Sequence, residues 1–248
     1  MSISDKLKTI AENEQKVYDK GRTDGYDAGL VAMWDAITGK GKRYTGERMF
    51  AYADFTNIEE LPYPVVITDS AYRMFYSYYG KKMPRPQYID LSKMDKTKTV
   101  QQIFSWIAER IENGWSKSVV IPDYGLPAMD DYGSAFSSSS SIGTITLLRV
   151  HEGTIFTSTF NSCSNLKNIS FEGVIGRSIS FTSCPLTVES MKNIILHLKN
   201  YKGTANEGTY TLTLKDTCKT EMAKLGAIKE FNNKTYDVYI TDIGWNLA

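Results

Sequence analysis

Few residues of this sequence have the types and spacing that chemistry requires. It contains two histidines, His151 and His197, and one adjacent carboxylate pair, Asp130 and Asp131, in a loop rich in Tyr and Gly. A carboxylate pair does acid–base chemistry only with a correctly placed partner group, and the sequence identifies none. We therefore interpret the carboxylates as solvated loop charges, His197 as a packed or solvent-facing residue on a helix, and His151 as a residue where a strand turns.

Motifs of the common catalytic classes are absent. The sequence has no H-E-x-x-H, C-x-x-C, G-x-S-x-G or G-x-x-x-x-G-K-[ST] segment, the marks of zinc, thiol-pair, serine-nucleophile and nucleotide sites. Its cysteines, Cys163, Cys184 and Cys218, are too few, and odd in number, for a disulfide framework. We expect no enzymatic activity, no metal and no cofactor.

The composition of the chain excludes further classes of function. With 248 residues, 42% of them apolar, the chain can bury ~75% of the surface that it exposes when unfolded. Lys+Arg 29 against Asp+Glu 28 leaves a net charge of +1, which argues against a nucleic-acid partner because phosphate binding needs a basic surface. No apolar run reaches the roughly 18 residues of a membrane span. The first 16 residues lack the apolar core of a secretory signal, so we expect synthesis without classical export.

An internal repeat dominates the sequence. The segment F-S-S-S-S-S-I-G-T-I-T-L-L from Phe136 aligns without gaps to F-N-S-C-S-N-L-K-N-I-S-F-E from Phe160, and F-T-S-C-P-L follows from Phe181. The triplet R-M-F occurs at residues 48–50 and again at 73–75. The repeated aromatics, called the ladder phenylalanines below, are Phe50, Phe75, Phe104, Phe136, Phe160 and Phe181. A period of this kind predicts a solenoid, in which stacked units bury together a face that none buries alone.

The repeat also predicts which positions lie inside. Each ladder phenylalanine should stack on the next, and a small residue three positions later, such as Cys163 or Cys184, should fill a buried slot. Apolar positions nine and eleven residues on share one strand face, so the gapless alignment pairs Leu147 with Phe171. Burial as reduced thiols is the preferred interpretation of the two cysteines, and a disulfide between them stays open.

This pattern resembles a known family. Residues 160–171, F-N-S-C-S-N-L-K-N-I-S-F, match the A-F-x-x-C-x-x-L-x-x-I-x-F core of BspA-type leucine-rich repeats, with Thr159 replacing the Ala. Ala135 restores that Ala one repeat earlier, where Ser139 replaces the Cys. The whole chain resembles short proteins that phages and prophages of gut Firmicutes encode, including a C-terminal G-W element like Gly244–Trp245. The motif is specific over residues 135–186 and loose over 48–134.

The resemblance implies a fold and a setting. The expected fold class is α+β: an irregular BspA-type leucine-rich-repeat solenoid over 44–186, an N-terminal α-helix over 1–40 and a C-terminal α/β cap over 187–248. It implies a recognition surface in a virion appendage or a cell-surface adhesin, with no catalytic residues to carry over. If the protein belongs to such an appendage, we expect it in the virion tail, after its synthesis in the host cytoplasm.

Residues 4–38 predict an unusual helix. Leu7, Ile10 and Val17 lie on a heptad-like seam, and three glycines follow at intervals of four: Gly21, Gly25 and Gly29. Three interior glycines destabilise a helix by about 3 kcal/mol relative to alanine, whereas small residues four apart let another backbone approach closely. A helix that breaks near Gly21 and leaves a linker is the alternative. A continuous helix would assemble the chain with itself or dock it on other virion subunits, and the resembling appendages favour a trimer.

The C-terminal region reads as a cap. Thr187 is the expected N-cap of a helix that carries Met191, Ile194, Ile195 and Leu198 on one face. Tyr210, Leu212 and Leu214 alternate as in a strand. Met222, Leu225 and Ile228 suggest a second short helix, and residues 235–241 a last strand.

Binding residues are expected in the two longest repeats, between Phe75 and Phe136, because insertions in repeat proteins map to the binding face. Aromatic side chains with polar tips suit recognition of a protein or a sugar, although about half of them could fill the core instead. The candidates are Tyr76, Tyr78, Tyr79, Trp106, Trp115, Tyr124 and Tyr132, with Tyr88 beside them.

Three functions follow from these features. The leading one is a non-enzymatic phage tail-fibre or baseplate-associated protein, structural or receptor-binding, that contacts a bacterial surface glycan or protein. The alternative is a bacterial cell-surface adhesion protein of the same repeat class. A third is a polysaccharide-degrading enzyme that uses a carboxylate pair such as Asp130 and Asp131.

Deleting residues 1–38 should yield a folded monomer that no longer joins its assembly, because an isolated helix depends on packing an apolar face. Replacing Gly25 with Leu in the full chain should weaken association by preventing close approach. Multi-angle light scattering of the three proteins measures this. A monomeric full-length chain, together with a truncated form that still enters particles, would contradict the assembly role.

Overall fold

The structure is a computed structural model that describes residues 45–52, 65–80, 83, 89–111, 114–116, 118–224, 228–231, 234–238 and 243–248. The predicted N-terminal helix with Gly21, Gly25 and Gly29 lies outside these residues, as does Tyr88. Within the described ranges, no helix has the length and apolar character that a membrane crossing requires.

Five six-residue turns of one design follow each other along the chain. They comprise residues 47–52, 72–77, 101–106, 133–138 and 157–162, and each has a ladder phenylalanine in its fourth place. The second and sixth residues of every turn adopt positive φ although none is glycine. They are Arg48 and Tyr52, Arg73 and Ser77, Gln102 and Trp106, Ser134 and Ser138, and Ser158 and Ser162.

Backbone hydrogen bonds join these turns into a stack. In the first turn the N–H groups of Arg48, Phe50 and Tyr52 donate to carbonyls of the second turn at 2.8–2.9 Å. The second turn bonds to the third, and the fourth to the fifth, at the same three places. Between the third and fourth turns, Phe104 N–H donates to the Ala135 carbonyl, and the Ser105 hydroxyl donates to that of Ser134. Consecutive turns are therefore held in one register.

The ladder phenylalanines form a continuous column of stacked rings inside this stack. Ring-centroid distances from Phe50 through Phe75, Phe104, Phe136 and Phe160 to Phe181 are 5.3, 5.3, 5.3, 5.6 and 4.6 Å, with interplanar angles of 8–21°. Offset stacking at such distances stabilises aromatic pairs beyond the burial of their area. Phe181 differs from the others because it ends a strand, and no residue with positive φ flanks it.

The small side chains three residues after the phenylalanines hold neighbouring repeats together. The hydroxyl of Ser139 donates to the carbonyl of Phe104, the thiol of Cys163 to that of Phe136 at 3.1 Å, and the thiol of Cys184 to that of Phe160 at 3.7 Å. Each therefore satisfies a carbonyl one repeat back. The thiols are free, which answers the disulfide question in favour of reduced, buried cysteines.

Short strands connect the turns, and those of successive repeats pair in parallel. They are β1 Val65–Val66, β2 Tyr79–Gly80, β3 Ile89–Asp90, β4 Ala108–Ile111, β5 Gly114–Ser116, β6 Val119–Ile121, β7 Ile142–Val150, β8 Asn168–Gly173 and β9 Ile179–Phe181. Strand β1 pairs with β3, β2 with β4, and β7 with both β6 and β8, all in parallel, whereas β4 and β5 form an antiparallel hairpin. Their inward residues join the phenylalanine column in one core.

The gapless alignment of residues 136–148 with 160–172 is wrong at its end. The register is regular to Ile145, which pairs with Ile169, and then shifts, so that Leu148 rather than Leu147 pairs with Phe171. Leu148 is buried and Leu147 is only half-buried. An extra residue in one strand moves every following side chain to the other face of the sheet. The extra residue in β7 therefore turns Leu148, instead of Leu147, toward the core.

Helix α1, Val188–His197, covers the outer edge of β8. Thr187 is its N-cap, with its hydroxyl accepting from Ser190 N–H, and Met191, Ile194, Ile195 and Leu198 are buried, as the sequence predicts. Two polar side chains accept from edge N–H groups of β8: the Ser190 hydroxyl from Ile169 at 3.0 Å and the Asn193 amide oxygen from Phe171 at 2.8 Å. The helix thus satisfies donors that a further strand would otherwise bind.

The remaining elements extend the core on the β9 side. Strand β10, Thr211–Leu214, lies between β9 and β13, Asn246–Leu247, in a parallel sheet, with Leu212 and Leu214 buried. Helix α2 spans Asp216–Lys224. Its predicted continuation to Ile228 is wrong, because that residue opens β11, Ile228–Phe231, which pairs antiparallel with β12, Lys234–Val238. Trp245 is buried and its Nε1 donates to the Lys199 carbonyl at 2.7 Å.

Replacing Phe160 with Ala should lower the free energy of unfolding by about 3–5 kcal/mol. The ring is buried between those of Phe136 and Phe181, so its removal leaves a cavity in the column. Chemical denaturation monitored by circular dichroism measures the loss, with the exposed Ser158→Ala variant as the control in the same turn. A loss below about 1 kcal/mol would show that the Phe160 ring does not stabilise the column.

Candidate recognition surface

The sixth place of the stacked turns divides the turns into two kinds. It holds serine in the second, fourth and fifth turns and a large aromatic, Tyr52 or Trp106, in the first and third. Its side chain is exposed or partly exposed in four of the five turns, whereas Ser77 of the second turn is buried, with 5% of its surface accessible. All five residues have φ between 51° and 61°, a conformation that is unfavourable by roughly 1–2 kcal/mol for residues other than glycine. Serine meets this backbone requirement with a small side chain, so the stack itself does not require the two aromatic rings.

Both rings are exposed. Tyr52 is 61% and Trp106 54% accessible to solvent, the two largest values among the exposed large hydrophobic residues of the described part of the chain. The ring of Tyr76, in the fifth place of the second turn, packs edge-on against Tyr52 at 5.5 Å between centroids. Aromatic residues therefore occupy the fifth or sixth place of three consecutive turns.

A guanidinium group is held beside these rings. The Arg73 guanidinium lies over the rings of Tyr72 and Tyr76, 5.1 and 4.8 Å from their centroids, and its Nε donates to Gln102 Oε1 at 2.6 Å. Stacking and a hydrogen bond fix the orientation of the planar group, and its terminal nitrogens retain their donors. We call Tyr52, Arg73, Tyr76 and Trp106 the aromatic ridge.

Three of the predicted binding residues belong to the core instead. Tyr78, Tyr124 and Tyr132 are 2%, 4% and 0% exposed, which contradicts direct contact with a ligand. The Tyr124 ring stacks against Phe75 and Phe104, and burial raises the pKa of its hydroxyl and of that of Tyr132. The Tyr132 hydroxyl lies 2.9–3.0 Å from the carbonyl oxygens of Arg149 and Pro127.

Two further candidates are placed only by their backbones. Tyr79 lies in β2 and Trp115 in β5, strands that both pair with β4. Their side chains are outside the described part of the structure, so their predicted binding role stays a prediction.

Tyr52 and Arg73 are not among the binding residues that the sequence predicts. The signal was the place within the turn: counting two residues on from each ladder phenylalanine gives Tyr52, Ser77, Trp106, Ser138 and Ser162. Only the positive φ that these five residues share shows that they occupy the same structural position.

The polar groups considered for catalysis hold loops together. Asp130 accepts from His151 Nε2 at 2.8 Å and lies 3.7 Å from Lys96 Nζ, while His151 Nδ1 accepts from Gly153 N–H. Asp131 accepts from Gly133 N–H at 2.6 Å. The remaining histidine, His197, contacts a helix carbonyl through Nδ1. Each of these groups therefore has a local structural partner.

A second ion-pair group crosses the strands of the β6–β7–β8 sheet. Arg149 binds Asp123 through two nitrogens at 2.8 Å and lies 3.3 Å from Glu172. The Arg149 hydrogen bond is the main cause that lowers the pKa of the Asp123 carboxyl. Across the described residues, no cluster of three or more His, Cys, Asp or Glu side chains could hold a metal ion.

Comparison with known proteins finds no match: no family model, no curated protein and no solved structure is significantly similar to this chain. The aromatic ridge is therefore interpreted from its own geometry.

The thiols of the folded chain should be unreactive at pH 8. Burial raises the pKa of Cys163 to about 12 and also raises that of Cys184, so both are protonated at that pH, whereas the thiolate is the reactive form. Cys218 is buried as well, which keeps the reagent from its thiol. Ellman's reagent should detect no rapid thiol without denaturant and all three after unfolding. A Ser170→Cys control, at an exposed position of β8, should react at once. Rapid reaction of the unaltered folded chain would contradict burial of the cysteines.

Proposed function

We propose that this chain is a non-enzymatic recognition protein of a phage particle, a tail-fibre or baseplate-associated subunit that binds a bacterial surface glycan or protein through the aromatic ridge. The observation that carries this proposal is the pair of exposed rings, Tyr52 and Trp106, at turn positions where serine suffices for the fold. Contiguous exposed apolar surface is typical of interaction sites, and Tyr52 packs against the neighbouring ring of Tyr76 rather than standing alone. The setting in a virion rests on the resemblance of the sequence to phage-encoded repeat proteins.

The proposed architecture is an irregular BspA-type leucine-rich-repeat solenoid closed by the C-terminal α/β unit. Two features support it: the column of ladder phenylalanines and the parallel pairing of strands from successive repeats. In a solenoid each repeat contacts its neighbours, so outward side chains of successive repeats lie beside one another. The aromatic ridge combines the sixth residues of the first and third turns with two residues of the turn between them.

The composition of the ridge suits recognition. Tyrosine and tryptophan give a large contact area with few rotatable bonds, and arginine adds directed hydrogen bonds; these three residue types predominate where binding energy is concentrated. Stacking on Tyr72 and Tyr76 orients Arg73 before any ligand arrives. Groups that are ordered in advance lose less entropy on binding.

Replacing Trp106 with Ser should weaken adherence to bacterial cells about tenfold or more, as expected for a central aromatic contact. The melting temperature should change by no more than about 2 °C, because exposed substitutions rarely exceed about 0.5 kcal/mol and serine occupies this place in three other turns. Flow cytometry of labelled protein on a panel of bacterial strains, with scanning calorimetry, measures both effects.

The matched control is Ile155→Ser, which removes another exposed apolar side chain outside the ridge and should leave adherence unchanged. Equal adherence of the Trp106→Ser variant and the unaltered chain, or no adherence to any strain, would overturn the proposed function.

A further inference from the structure

The aromatic ridge has a fixed repeat along the stack. Tyr52 and Trp106 occupy the same place in the first and third turns, and Ser77 occupies it in the turn between them. Core rings of these turns are separated by two successive steps of 5.3 Å. The exposed side chains therefore recur after two steps, with one small residue at the intervening step.

This spacing selects among extended polymers. A peptide strand rises about 3.3 Å per residue, so side chains on one face recur after about 6–7 Å, which differs from two steps of the stack. In an extended glycan with equatorial linkages, one pyranose ring advances by nearly one step, and alternate rings present the same face. Such a chain can place rings i and i+2 on Tyr52 and Trp106 while ring i+1 crosses the second turn, where Ser77 is small and buried.

The chemistry of the ridge fits the same ligand. A pyranose ring has an apolar face of C–H groups, which packs on an aromatic ring, and an edge of hydroxyl or carboxylate groups, which accept hydrogen bonds from guanidinium. Arg73 forms no ion pair with a described residue, its Nε is held by Gln102, and its terminal nitrogens remain as donors.

We infer that the aromatic ridge binds an extended, equatorially linked glycan that lies parallel to the stack, with alternate sugar rings on Tyr52 and Trp106. This inference rests on the proposed function and deepens it by naming the ligand class and its direction. A ridge of this form contacts the middle of a chain and requires no chain end.

The first experiment separates a glycan from a protein ligand. Cells that bind the unaltered chain are treated either with protease or with periodate, which cleaves vicinal diols of sugars. Adherence should survive protease and be lost after periodate. Loss after protease alone, with adherence to untreated cells still dependent on Trp106, would overturn the glycan assignment and leave the proposed function standing. Adherence that does not depend on Trp106 would overturn both.

The second experiment tests the direction of the chain. Surface glycan from the same cells is partially hydrolysed, separated by size, and used to compete for adherence of the full chain. Inhibition should be absent with single sugars, rise steeply at three linked rings, and then stay level per binding site. Equal inhibition by single sugars and by long fragments would overturn the parallel arrangement.

Ring contacts are tested by variants of the ridge. Tyr52→Ser and Trp106→Ser should each reduce the affinity for the longer fragments about tenfold, whereas Trp106→Tyr, which keeps a ring, should retain most of it. The matched control is Ser138→Ala, at the same turn position two repeats from the ridge centre, and should bind normally. Loss with Trp106→Ser but full binding by Tyr52→Ser would overturn contact with alternate rings.

Discussion

Each of the first four turns donates at least one backbone N–H group to a carbonyl of the turn that follows it, and the rest of the repeat depends on this ladder of hydrogen bonds. It holds the phenylalanines at intervals close to 5 Å, so that their rings meet as a column rather than as separate contacts. It also requires positive φ at two non-glycine residues per turn, a conformation that local sterics oppose. The strain is retained because each such residue is flanked by bonds to a neighbouring turn.

Within each six-residue turn, different residues therefore have different roles. The fourth residue points into the core and contributes to stability, whereas the sixth must meet a backbone requirement and is exposed where it is Tyr52 or Trp106. Substitution at the sixth place can therefore change what the surface contacts without disturbing the column. Tyr52, Ser77 and Trp106 show that the same backbone accepts side chains of very different size.

The sequence was sufficient to predict the features that depend on a repeating interaction. The phenylalanine column, the buried thiols and the capped helix α1 each follow from spacing, since a stacked or periodic contact imposes one. The bulge in β7 could not be predicted, because Leu147 and Leu148 are chemically identical and only the pairing with β8 distinguishes them. Nor could aromatic type reveal which tyrosines are inside: Tyr124 lies far from any ladder position and reaches the column through an irregular segment. Tyr52 and Arg73 were missed because their place in the turn becomes evident only from backbone geometry.

Helix α1 gives the stack a polarity. By occupying the edge donors of β8 with Ser190 and Asn193, it removes the template on which another parallel strand could form at that end. A repeat added next to β8 would displace α1, whereas a repeat added earlier in the chain, where the length between turns already varies, would leave these contacts intact. The helix ends the row of paired strands at β8, so this row can become longer only by repeats added before it.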